Sequence, residues 1–593
     1  MLSWVRIHPS QLPQTTGEKL TTKSAGTIPP IFLGVFSILL SLAWIIPNHT
    51  KPWMAFYSDA IAGVMLLIVA FWVLFRSSGK LGVIGLSLLF LFLAAVPWLQ
   101  YSVGVVHSSG MAWINSFYLV GLSLAIFVGW NWERSTPGEC LDFLFLAFSI
   151  AAVISVGLQL LQWFQLPPGN FWVAYVGESR FSANMAQPNQ LATLLLLSVM
   201  GVAWGYARKA LGPVISVILV LYLLFGVVLT ESKTAGLNVA GVLLALYLFW
   251  GESRPKRFNL VLLGFGVYFV ALYLSLPAIN EFLFGDPSIR RAVGDAVRLD
   301  MWKSLVKAVM ERPWLGYGWG QTTEAVFASA DFPATGGTTK HSHNFFLDIF
   351  LYNGFLLGCF VVLVLGATFR QFLAHLKQDD FIIPMLGVGL LLVHSMLELP
   401  LHYAYFLLPF GMILGVLGRR SGVKVWCVCP KWLSLGLAVA VACGLWITIA
   451  DCLEAERTYF NVYFGKKGKA IPPEFQPKLM VLTQWRDRLM FANSKPVNPL
   501  APEQLSWMKG VIVTTPEPFL LFLLAQNLAL NGQPAEAREW LDRMCKTVPP
   551  PVTQDLAEQW ETAAEINAVY RMVDWKQCPL STLATRKDLP PME

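Results

Sequence analysis

A series of apolar runs constrains this chain more than any other feature. There are about thirteen of them, and most are long enough to cross the ~30 Å hydrocarbon core of a bilayer as a helix of roughly 20 residues. They lie near 31–47, 54–75, 81–99, 111–130, 140–163, 190–206, 211–229, 237–250, 258–276, 344–368, 381–397, 401–418 and 432–451, with 237–250 the shortest. Charge is correspondingly scarce. Only 13% of residues are Asp, Glu, Lys or Arg, against 55% hydrophobic, and a soluble protein carries roughly twice that charge fraction. The expected fold is all-α and polytopic in the membrane. The formal charge of +7 then argues nothing for nucleic acid, because what matters is how it divides across the bilayer.

That division is lopsided. With the N-terminus on the cytoplasmic side, the inner loops hold Arg76, Lys80, Arg134, Arg208, Lys209, Arg254, Lys256, Arg257, Arg370, Lys377, Arg419, Arg420, Lys424 and Lys431. The short outer loops hold only Lys51, Arg180 and Lys233, which is 14 cations against 3. Positive charge gathers on the cytoplasmic side, so residues 277–343 and 452–593 are expected in the periplasm of a bacterial inner membrane. Residues 1–30 are polar, carry Arg6, Lys19 and Lys23, and read as a cytoplasmic segment rather than a cleavable signal peptide.

Three stretches break the rhythm of short loops. The first, 164–189, is rich in Gly, Pro, Asn and aromatics. The second, 277–343, contains a helix expected over Asp295–Glu311, where Val297, Met301, Leu305 and Val309 recur about four apart. Pro313 stops it, and Gly316, Gly318 and Gly320 turn the chain. The third is the tail from 452. Within it, Pro518–Pro551 reads as two amphipathic helices about an Asn-Gly-Gln turn in the pattern of a tetratricopeptide unit. One unit cannot bury a core alone, so neighbouring helices are expected near 453–465, 475–492 and 553–573. Cys545 and Cys578 share this tail and are placed to form a disulfide in an oxidising compartment, whereas Cys359 and Cys443 read as small core residues within spans.

Four of the eight histidines, His341, His343, His394 and His402, collect at the outer mouths of three consecutive spans. His394 and Glu398 stand at i, i+4, and Tyr403 and Tyr405 follow Pro400. Any one of them reads equally well as an amphipathic interface residue. Together they mark a functional site, because ionisable groups at membrane depth are costly. His341 and His343 share a face if their loop is extended. A zinc site would need a third ligand, for which His394 or His402 would serve, but no cysteine or close carboxylate pattern accompanies them. A general base is the better reading, since imidazole titrates near neutrality. No metal or other cofactor is expected. Cations on the outer side (Arg180, Lys233, Arg290, Arg291 and Arg298) run against the inner-side bias, and guanidinium forks suit phosphate oxygens. A base and a set of cations beside lipid point to chemistry on a membrane-anchored phosphate or pyrophosphate.

At this point the motifs resemble a family. "HSHNFFLDIFLYNGFLLG" is similar to the signature of the O-antigen ligase and polymerase superfamily of polytopic glycosyltransferases. With "AQPNQLATLLL", "TESKTAGL", "RLDMWKSLVKAVMERPWLGYGWG" and "HSMLELPLHYAYFLLPFGMILG" in order, the chain resembles the pilin-type protein O-oligosaccharyltransferases in particular. The resemblance implies His343 as the catalytic residue and Gln187 and Asn189 as a polar pair. It implies Arg298 as a donor-phosphate ligand, and a functional tyrosine at Tyr403 or Tyr405, with Tyr403 favoured as closer to the interface. Lys233 stands where relatives carry arginine, and Asp348 stands where glutamine is commoner.

The expected activity is en bloc transfer of an oligosaccharide from undecaprenyl pyrophosphate to Ser or Thr of a periplasmic, pilin-like protein. Arg298, Lys233 and Arg291 would hold the pyrophosphate. Gln187, Asn189, Arg180, Tyr403, Tyr405, Asn344, His394, Glu398 and His402 would position glycan or acceptor. An O-antigen ligase acting on lipid A-core is the nearest alternative. A lipid-linked glycan transporter is the alternative from another class; it predicts an inverted repeat and polar groups at mid-membrane, and neither is evident.

Overall fold

A computed structural model describes residues 29–77, 79–166, 172–174, 180–249, 257–285, 295–329, 341–464, 476–547 and 550–575. The apolar runs fold as α1 (Pro30–Ile45), α2 (Phe56–Arg76), the pair α3 (Gly85–Leu93) and α4 (Val96–Ser102), α5 (Ser109–Ser135), α6 (Glu139–Trp163), α7 (Pro188–Ala207), α8 (Pro213–Leu229), α9 (Lys233–Phe249) and α10 (Phe258–Phe284). The loop helices α11 (Asp295–Glu311) and α12 (Thr322–Ala328) come next. Then follow α13 (Phe345–Leu373), α14 (Asp379–Ser395), α15 (Ala404–Arg420) and α16 (Lys431–Phe464).

All thirteen runs meet a helix. Among the described residues, eight helices are long and apolar enough to cross a membrane, counting α3 and α4 as one. The other five, α1, α8, α9, α14 and α15, have 16 or 17 residues, at the short end of what spans. This is a helical membrane protein. Its outer helices show the environment directly: α10 exposes apolar side chains along almost its whole length, which suits lipid rather than water. Cys359 and Cys443, expected inside, are exposed too. By contrast α15 is buried on nearly every side, packed on α5, α2 and α14.

Two runs expected as single helices are interrupted. In 81–99 the chain first forms β1 (Leu81–Ile84), which pairs antiparallel with β2 (Val425–Cys429), Leu81 opposite Cys429. The run then breaks again before Pro97, whose ring removes a ladder donor and is tolerated only in a first turn. The second break matters more for the site. Inside α13, Gly354 has φ +71°, and the Pro313–Tyr317 loop enters the gap. Phe355 N donates to Pro313 O at 2.6 Å, and Tyr317 N donates to Leu351 O at 2.7 Å. A Cβ on Gly354 would stand 2.4 Å from Trp314 O, and one on Gly316 would stand 2.4 Å from Leu351 O, so only glycine fits either side of this crossing. The loop thereby pins α11 along the first half of α13, with Met301, Leu305, Val309, Leu351 and Tyr352 as their shared core.

The tail forms α17 (Thr483–Ala492), α18 (Pro502–Thr514), α19 (Pro518–Leu530), α20 (Pro534–Thr547), α21 (Pro550–Ile566) and α22 (Ala568–Arg571). The expected hairpin is α19 and α20, closed by Gln533 N to Leu528 O at 2.9 Å, and Leu524, Leu541, Met544 and Trp560 belong to its core. Cys545 is buried there, while Cys578 lies outside the described residues. Among the described residues, several contacts tie the tail down, two of them through Asp451 and Phe327. Asp451 accepts the backbone N–H groups of Met480, Val481 and Leu482 at 2.9, 2.6 and 2.9 Å. Phe327 of α12 packs edge-on against Trp540, ring centres 5.8 Å apart.

Candidate functional site

The site is built around one carboxylate. Glu398 follows α14, its N–H still bonded to His394 O at 2.8 Å, and its side chain is only 4% exposed. Oε1 accepts from the guanidinium of Arg298 and from Asn189 Nδ2 at 3.1 Å. Oε2 meets His343 Nδ1 at 3.1 Å and accepts from Gln187 Nε2 at 3.4 Å. Four donors from three distant segments fill the oxygens of one buried acid.

Each donor is placed for a local reason. Pro188 in the first turn presets the start of α7, leaving Gln187 just before the helix and Asn189 in its first turn. Arg298 and Trp302 stand four apart, on one face of α11, and Trp302 Nε1 donates to Ser342 O at 2.8 Å. Asn344 caps α13 by accepting Leu347 N at 3.1 Å, and its Nδ2 reaches Met396 O at 3.3 Å. Between the Trp302 anchor and this cap, His343 takes φ +56°, a left-handed conformation rare for a non-glycine residue. Such a residue persists only where its surroundings fix it. The turn sends His341 and His343 in different directions, whereas an extended loop would have put them on one face.

The electrostatics set the chemistry. Burial alone would raise the Glu398 carboxyl, but the bond from His343 and the charge of Arg298 outweigh it and hold the group down at about 2. An ionised carboxylate only accepts hydrogen bonds. A ring proton therefore sits on Nδ1 of His343, and in the neutral ring Nε2, across from it, carries the free lone pair. With its side chain 32% exposed, His343 presents an oriented ring at the surface of the site. Arg298 is 34% exposed and keeps further N–H donors beyond those facing Glu398.

The other expected site residues divide. Arg180 donates to Glu231 O at 3.1 Å. Its guanidinium is held below the usual arginine range by burial, against the opposing charges of Glu231 and Glu398, so it borders the centre. Lys233 is exposed at the start of α9. Arg291 lies outside the described residues. His394 is wholly buried and bonded through Nδ1 to Thr193 Oγ1 at 2.7 Å. Thr193 in turn donates to Asn189 O at 3.2 Å, so His394 backs the centre from within. Tyr405 is buried and donates to Gln190, while the half-buried Tyr403 stacks on it at 5.3 Å. His402 packs against His341, ring centres 4.2 Å apart.

Sequence reasoning missed Trp302 and Thr193. Trp302 had a signal, the i, i+4 spacing from Arg298. Thr193 had none, because its partner is 201 residues away.

Comparison with known proteins finds matches over most of the chain. Residues 218–362 match the family model described as "O-Antigen ligase", and residues 384–549 match "Virulence factor membrane-bound polymerase, C-terminal". The two matches carry His343 and Glu398 respectively. A "General O-oligosaccharyltransferase" of Acinetobacter baylyi is 27% identical over 540 residues, covering 87% of this chain and 93% of that protein. A "ComP-specific O-oligosaccharyltransferase" of the same organism is 27% identical over 396 residues, 66% of this chain and 71% of that protein. The chain is an enzyme, a membrane glycosyltransferase. More narrowly, its matched segment is similar to the O-antigen ligase family, and the curated relatives it resembles are O-oligosaccharyltransferases.

Proposed function

We propose that this protein transfers an oligosaccharide en bloc from undecaprenyl pyrophosphate to a Ser or Thr hydroxyl of an exported, pilin-like protein. The supporting observation is the Arg298–Glu398–His343 constellation, an oriented base beside a cation. The acceptor hydroxyl attacks the anomeric carbon while His343 Nε2 takes its proton. A C–O bond forms to the acceptor, and the bond from the anomeric carbon to the phosphate oxygen breaks. Undecaprenyl pyrophosphate departs with the bonding pair. Direct attack inverts the anomeric centre. Arg298 stabilises the developing phosphate charge, which matters most in the transition state, with Lys233 and Arg291 as further donor-binding cations. Gln187 and Asn189 hold Glu398 in place, and Arg180, Asn344, Tyr403 and Tyr405 shape the glycan and acceptor side. His394 and His402 act through the groups they support.

In this reading the enzyme sits in the bacterial inner membrane with its N-terminal segment 1–30 in the cytoplasm. Residues 31–451 form the transferase domain. The loop 277–343 and the helical domain 452–593 face the periplasm, where the acceptor arrives.

The test is the intact mass of a candidate pilin incubated with lipid-linked glycan and purified wild type or His343→Ala. A glycan-sized gain with wild type alone is expected. Equal gain with both overturns His343 as base, and a gain only when lipid A-core replaces the pilin reassigns the acceptor.

A further inference from the structure

A second carboxylate lies near the first and is satisfied differently. Asp348, in the first turn of α13, is 3% exposed. Its Oδ1 accepts Ser342 N at 3.0 Å, which fixes the direction of the group. Its Oδ2 is buried without a hydrogen bond of good geometry, and its nearest polar neighbours are the Tyr352 hydroxyl and the His402 ring. Two imidazoles lie beside this carboxylate. His402 Nε2 stands 3.5 Å from Oδ2, and one ligand atom from each of His341, Asp348 and His402 lies within 4.8 Å of the others. The Tyr352 hydroxyl, 3.3 Å from His341 Nδ1, orients the second ring.

A buried carboxylate oxygen without a well-formed hydrogen bond is costly. Two histidines and one carboxylate converging on a point form a donor set typical of zinc and similar dications, with positions left for water. Ligands about 2.0–2.2 Å from a tetrahedral ion stand roughly 3.3–3.6 Å apart, so His402 and Asp348 are already at ligand spacing, and His341, within 4.8 Å of both, needs to close by about an ångström at most. The two histidines are on a loop and a 3-10 turn, where such a shift is available. The His402 side chain is 27% exposed, which gives an ion a way in.

We propose that His341, Asp348 and His402 bind one transition-metal dication of the zinc class, and that the bound ion pins the His341–His343 loop to the mouth of α13. Since Ser342 already bonds Asp348, an ion there ties both flanks of the loop that presents His343. The ion's place is structural, beside the reacting groups rather than among them.

The test is independent of the transfer reading, because it needs no substrate. Untagged protein in detergent is stripped with chelator, equilibrated with zinc, desalted and assayed for metal by mass spectrometry. Thermal unfolding is followed in parallel. About one zinc per chain is expected in wild type and in His343→Ala, whose side chain is outside the triad. Asp348→Asn and His402→Gln should each retain less than about a tenth of that and lose the zinc-dependent rise in Tm. His402→Gln alters a partly exposed position and serves if Asp348→Asn fails to fold. Wild type without zinc overturns the proposal. So does equal zinc in His402→Gln, or zinc lost from His343→Ala.

Discussion

Glu398 and Asp348 are two buried acids near His343, each facing histidine, and they are treated in opposite ways. Glu398 receives four donors, and its charge is the reason His343 carries its proton on Nδ1. Asp348 has one oxygen held by a backbone N–H and the other facing His402 without a well-formed hydrogen bond. The first carboxylate is completed by the chain itself and behaves as a fixed electrostatic part. The second is left for something the chain does not supply. Burial therefore does not define a catalytic acid; which donors reach it does.

Breaking the paired centre has the largest expected effect. His343→Ala removes the base and should lower glycan transfer by about 10²–10⁴-fold, measured as initial rate with saturating donor. Glu398→Ala frees the ring and strands Arg298, and should cost about 10²-fold or more together with a clear fall in Tm. Loss of rate without loss of Tm would mean that Glu398 matters only chemically.

Arg298→Lys keeps the charge but loses the planar fork. About tenfold slower transfer is expected, with the loss reduced at high donor concentration if binding is the main effect. A rate equal to wild type would show that a point charge suffices.

The pH dependence distinguishes the two acids through Glu398. Its folded carboxyl, at about 2, lies below its ordinary value of 4.5, so the ionised form stabilises the fold. That contribution is complete above pH 4.5 and is lost as pH falls from there through about 2. The Tm gap between wild type and Glu398→Gln should be constant from neutral pH down to about 5 and narrow below 4.5. A gap that narrows at neutral pH would contradict a depressed carboxyl.

Asp348→Asn sharpens the contrast. In chelator it removes a charge with one oxygen lacking a well-formed hydrogen bond, so stability should stay within about 1 kcal/mol of wild type. Gln187→Ala is the mildest change, since its 3.4 Å contact is long; a loss of about threefold or less in transfer rate is expected.

Local pattern carried far in this chain. The apolar runs are segments whose period and length are written in consecutive residues, and each meets a helix in the fold. The α19–α20 hairpin is legible for the same reason: its turn and both apolar stripes lie within about thirty residues. Histidine clustering and charge placement singled out His343 and Arg298, and the family resemblance added Gln187 and Asn189 as candidates. Local logic did not show that they share an acid. Glu398 read as a partner of His394 at i, i+4, yet His394 turns to Thr193 and Glu398 turns to three other segments. Nor did it show the break at Gly354, because the glycine is needed only where the Pro313–Tyr317 loop crosses α13.

Sequence alone determined that the chain is a bundle of apolar helices with its ionisable groups gathered at loop mouths, since hydropathy and charge act on each segment separately. Tertiary structure alone decided which nitrogen of His343 is basic, which acid is complete and which is not. Those properties depend on donors 55 to 211 residues apart in the chain, brought within about 3 Å by packing that no single segment encodes.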